Sequence, residues 1–68
     1  MTALPAMTGI ELARWRVSNR ITQSALAACL GVHTMTVSRW ERCGDNLIPR
    51  RAVRLLAYAD WSKLKLED

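Results

Sequence analysis

The chain has 68 residues, with ten Lys and Arg against six Asp and Glu and a formal net charge of +4 at pH 7. That length admits one domain with a small core and excludes a large catalytic cleft. Half the residues are apolar and only three are glycine, which fits a compact helical bundle better than a disordered tail or a turn-rich all-β domain, while the positive balance favours a polyanionic partner.

In chain order, Met1 to Met7 holds Pro5 and small residues without periodicity, so 1–7 reads as a loose lead-in within which Met7 is an alternative start. Its opening lacks the basic residues and long apolar stretch of a secretory signal, and no run anywhere approaches the roughly twenty apolar residues that cross a bilayer. A cytoplasmic protein with no membrane partner is therefore expected. Thr8-Gly9-Ile10-Glu11 is a capping box, in which the Thr hydroxyl and Glu carboxylate satisfy free amides at a helix start. It opens a predicted helix from Gly9 to Ser18. Leu12 and Trp15, with Ile10 as a third candidate, form its inward stripe, leaving Glu11, Arg14 and Ser18 toward water. Asn19 suits the left-handed backbone that ends a helix, and Ile21 returns the chain to the core.

Thr22 caps a second predicted helix, Gln23 to Leu30, which Gly31 stops because glycine tolerates positive φ. Ala25, Ala27 and Ala28 allow close approach of another helix, and Leu26 and Leu30 supply the buried face. Val32 and His33 form the turn. A third helix, from about Thr34 to Arg42, carries Val37 and Trp40 inward and presents Thr34, Met35, Ser38, Arg39 and Arg42 on the opposite surface. Cys29 and Cys43 lack the spacing of a disulfide scaffold and read as reduced thiols, one in a helix and one in a turn. With His33 they make three ligand types at irregular spacing and no Cys-x-x-Cys, which argues against zinc.

Gly44-Asp45-Asn46 marks a loop. Pro49 fits the first position of a fourth helix, along which Ala52, Val53, Leu56 and Ala59 recur at helical spacing. Arg50, Arg51 and Arg54 near its beginning oppose the helix dipole, which fits either a nearby anion such as phosphate or a solvated charged face. Trp61 to Asp68 reads as a short last helix or an extended arm. The organisation is thus a lead-in over 1–7, one domain over 8–60 and a tail over 61–68. One histidine, no nucleophile and base at a recognised spacing, no glycine-rich phosphate loop and no paired carboxylates beyond Glu67-Asp68 argue against an enzyme and against any cofactor.

The informative segment runs from Gln23 to Arg42. Two short helices meeting steeply need a small residue where they touch, a turn glycine and apolar residues at fixed places on both. Ala27, Gly31, Leu26, Leu30, Val32, Val37 and Trp40 fill those places. Here the chain resembles the helix-turn-helix family of the phage Cro and cI repressors, the xenobiotic-response-element type, from about Leu12 to Leu56. The tightest part is Leu30-Gly31-Val32 followed by Thr36-Val37-Ser38-Arg39-Trp40-Glu41. The resemblance implies an all-α, lambda-repressor-like bundle of four to five helices whose central pair places its second helix, about 34–42, in the major groove.

By that resemblance Arg39 leads a base-reading set with Thr34, Met35 and Ser38, since guanidinium can donate two parallel hydrogen bonds to guanine. Gln23 matches a family position that holds the phosphate backbone, and Thr36, Arg42 and Arg50 are further phosphate candidates. Arg16 and Glu41 occupy the positions of a structural ion pair. Two departures stand out: Arg20 replaces the family's usual glycine between the first two helices, and Cys43-Gly44-Asp45-Asn46 is slightly longer than the typical loop.

The function so implied is a regulator, a repressor acting by operator occupancy as a homodimer on an inverted repeat, with double-stranded DNA as partner and no small-molecule effector. Its dimer contact is placed on Leu55, Tyr58, Trp61 and Leu64. The alternative is a protein-interaction module, an antitoxin or phage-type modulator, on the same fold.

Overall fold

The computed structural model describes residues 6–59 and residue 61. Four α-helices, α1 (Gly9–Ser18), α2 (Gln23–Leu30), α3 (Thr34–Glu41) and α4 (Arg50–Ala57), form a compact bundle about one core. The described residues contain no strand, only an isolated antiparallel bridge between Thr8 and Leu47.

The capping box starts α1 as its spacing predicts. The Thr8 N–H donates to Glu11 Oε1 at 2.9 Å and the Glu11 N–H donates back to the Thr8 hydroxyl at 3.1 Å. The Thr8 backbone N–H foremost, and the Thr8 side chain second, hold the Glu11 carboxyl below its usual range. A carboxyl depressed in the folded state stabilises fully above its ordinary range, and that contribution fades as pH falls through the lowered value. The next amides of α1 are satisfied from across the chain, Gly9 N–H by Asn46 O at 3.2 Å and Ile10 N–H by Gly44 O at 3.0 Å.

The left-handed residue after α1 is Arg20, at φ 57°, and not Asn19, which sits at φ −94°. The closing bonds explain the offset. Ile21 N–H reaches back to Arg16 O and Arg20 N–H to Val17 O, each at 3.0 Å, a paired closure that places the reversed residue immediately before buried Ile21. Asn19 instead donates its side-chain amide to Trp15 O at 2.8 Å. The same closure ends α2, with Val32 N–H to Ala27 O at 3.0 Å and Gly31 at φ 70°. Glycine takes this conformation freely, whereas a side chain there costs roughly 1–2 kcal/mol. Arg20→Gly is therefore expected to stabilise the protein by about 0.5–1 kcal/mol once glycine's larger unfolded-state entropy is set against the relieved strain. A urea midpoint that stays put or falls would contradict this.

Leu12, Leu26 and Val37 are fully buried, and Ile21, Ala27, Leu30, Trp40, Ile48, Ala52 and Val53 complete the core. Ile10 lies 37% exposed, so it does not join the inward stripe; Leu12 and half-buried Trp15 form it. Two helix ends shift by one residue from expectation. Glu41 ends α3, with Arg42 as its cap, and Pro49 precedes α4 with ψ 147° rather than opening it. Proline fixes φ but leaves ψ free, and here ψ continues the extended run in which Ile48 N–H donates to Met7 O at 2.8 Å.

Candidate nucleic-acid interface

Val37 and Trp40 anchor α3 in the core and turn its other side outward. On that side Met35 is 55% exposed and Arg39 exposed, while Thr34, Thr36 and Ser38 are half-buried at its flanks. Arg42 at the end of α3 and Arg50 at the start of α4 are exposed. The predicted base-reading residues thus share one helix, with the predicted phosphate contacts Thr36 and Arg42 on or beside it.

His33 caps α3, accepting the Met35 N–H on Nδ1 at 3.1 Å. Sequence reasoning places His33 only in the turn, since histidine is not among the preferred capping residues. Pro49 offers α4 no side-chain cap, and the exposed cations Arg50, Arg51 and Arg54 stand on its first turns. The described residues hold eight arginines and three carboxylates, Glu11, Glu41 and Asp45. With Arg16 bound to Glu41, the remaining seven arginines are all exposed, so the surface of the described residues carries an excess of positive charge.

The ion pair behind α3 forms as the resemblance implies. Arg16 Nε donates to Glu41 Oε2 at 2.6 Å, Arg16 Nη2 to Glu41 Oε1 at 3.1 Å and Arg16 Nη1 to Ile21 O at 2.8 Å. Gln23 enters the same cluster, its Nε2 donating to Glu41 Oε1 at 3.1 Å, a contact that sequence reasoning does not foresee. Bidentate pairing and a carbonyl bond fix the guanidinium in one orientation and tie α1 to α3 and to the turn before α2.

The predicted dimer residues differ in exposure. Leu55 packs on the core, Trp61 meets Trp15 edge to face with ring centroids 5.5 Å apart, and Tyr58 is 82% exposed; Leu64 lies outside the described residues. Cys29 is buried in α2, and Cys43, half-buried after α3, donates its thiol to Arg39 O at 3.7 Å. Among the described residues no group of three or more His, Cys, Asp or Glu is placed to hold a metal, and no helix is long and apolar enough to cross a membrane. Comparison with protein-family models, curated proteins and solved structures finds no match to this chain.

Proposed function

We propose that the protein is a cytoplasmic, sequence-specific regulator that binds double-stranded DNA through a lambda-repressor-like helix-turn-helix, α2 and α3, and represses by occupying its operator. The observation that carries this reading is the outward face of α3, where Arg39 and Met35 stand in solvent while Val37 and Trp40 lock the helix from behind. A short helix held rigidly on one side and exposing guanidinium on the other fits a major groove, whose edges distinguish all four base pairs. The positive outer surface supports the same reading, because phosphate neutralisation supplies much of the affinity for a duplex.

In this reading Arg39, Met35, Ser38 and Thr34 read bases. Gln23, Thr36, Arg42 and Arg50 hold the backbone, and two copies bind the halves of an inverted repeat, paired through Tyr58 and the segment around Trp61. No cofactor or effector is required. Selection of fragments from random duplex DNA, followed by binding of the selected site across salt concentrations, tests it. Arg39→Ala is expected to lose roughly 1–3 kcal/mol of affinity for that site and to relax the preference at one base position. Negligible, salt-independent binding by the parent protein would favour the protein-interaction module instead.

A further inference from the structure

We infer that Glu41 is a positioning residue that orients the Gln23 amide toward a DNA phosphate, so that the brace between the helices and the grip on the backbone are one device. The inference rests on the DNA-binding reading above. Glu41 is the last residue of α3 and Gln23 the first of α2, and Arg16 reaches both from α1 through the same carboxylate. Arg16 also holds Ile21 O at 2.8 Å, just ahead of the Thr22 cap. The start of α2 and the end of α3 are therefore held in one arrangement.

The chemistry of the amide gives this arrangement its consequence. Gln presents an oxygen that only accepts and a nitrogen that donates two hydrogens, whereas an ionised carboxylate only accepts. Beside Glu41 the amide must present Nε2, because the flipped form would set two acceptor oxygens against each other. One hydrogen is spent on Glu41 Oε1, at 3.1 Å, and the other stays free for a phosphate oxygen on a side chain that is only half-buried. The dipole of α2 favours an anion at the same end. Arg16 completes the logic: a bare carboxylate next to a phosphate would repel it, and the guanidinium at 2.6 Å neutralises that charge while leaving its accepting oxygens in place. Without Glu41 the side chain regains its rotamers, including those that turn Oε1 toward the anion.

The test compares Gln23→Ala, the double variant Arg16→Met with Glu41→Leu, and the triple combination, binding a mixed-sequence DNA duplex between about 50 and 200 mM salt. Gln23→Ala is expected to weaken binding about tenfold across that salt range and to leave the slope of log K against log salt nearly unchanged, because a neutral amide neutralises no phosphate and releases no counterion. The double variant, verified as folded by circular dichroism, should show the same loss, and the triple no further loss. A folded double variant that binds like the parent, or a Gln23→Ala effect of equal size in both backgrounds, overturns the proposal while leaving the DNA reading intact. A parent protein with no salt-dependent duplex binding overturns both. Should the double variant not fold, the parent alone decides: on adding duplex, one Gln23 Nε2 proton resonance should move while its Glu41-bonded partner stays, and two unmoved resonances refute the orientation.

Discussion

Replacing Gly9 with alanine is expected to destabilise the protein by about 3 kcal/mol, although alanine is the better helix former by roughly 1 kcal/mol. A Cβ at Gly9 would lie 2.6 Å from Trp40 O, 2.7 Å from Glu41 O and 2.7 Å from Gly44 N. All three are backbone atoms, so no side chain can swing aside. The first turn of α1 would have to lift off the end of α3, lengthening the bonds from Gly9 N–H to Asn46 O and from Ile10 N–H to Gly44 O. A chain of 68 residues has a total stability on the order of 3–10 kcal/mol, so the loss removes about 30% of it or more. Urea denaturation measures it directly. An alanine variant as stable as its parent would show that helix propensity outweighs the close approach.

Features whose partners sit close together in the chain are legible in the sequence. The Thr8 and Glu11 pair declares itself because both members lie within one turn, and Gly31 declares itself because only its backbone freedom matters. The inward placement of Leu12, Leu26, Val37 and Trp40 follows from periodicity alone. What escapes a reading of the sequence depends on contacts between residues far apart along the chain. Gly9 looks like any residue near a helix start until the carbonyls of Trp40 and Glu41 are brought against it. Asn19 has the stronger preference for the left-handed region, yet the closure bonds place that conformation on Arg20, because Ile21 must reach the core. The outward face of α3 is readable from the spacing of Val37 and Trp40, whereas the bond from Gln23 to Glu41, eighteen residues away, is not. Resemblance supplies the pairing of Arg16 with Glu41, since nothing in the spacing of two charges on different helices selects them from the other arginines and acids.

That pair should divide single from double substitutions sharply. Arg16→Ala strands a Glu41 carboxylate whose side chain is only 10% exposed and leaves Ile21 O without its donor; Glu41→Ala strands a guanidinium that is 15% exposed and frees the Gln23 amide. Each is expected to cost about 3 kcal/mol, the low end of the range for buried pairs, because both partners keep some contact with water. In a domain this small that lowers the thermal midpoint by roughly 4–8 °C for every kcal/mol. Arg16→Met combined with Glu41→Leu removes the desolvated charges together and fills their space with apolar atoms, so it should unfold well above either single variant, short of the parent by about the 1 kcal/mol of the donor that Ile21 O loses. The contrast identifies what the pair contributes: removing one member exposes the desolvation cost of the other, while removing both reveals little net stability. If each single variant loses less than about 1 kcal/mol, the pair behaves as a solvated surface bridge and cannot brace α1 against α3. If the double variant falls as far as the singles, the hydrogen bonds to Ile21 O and Gln23, rather than the charges, hold this corner of the fold together.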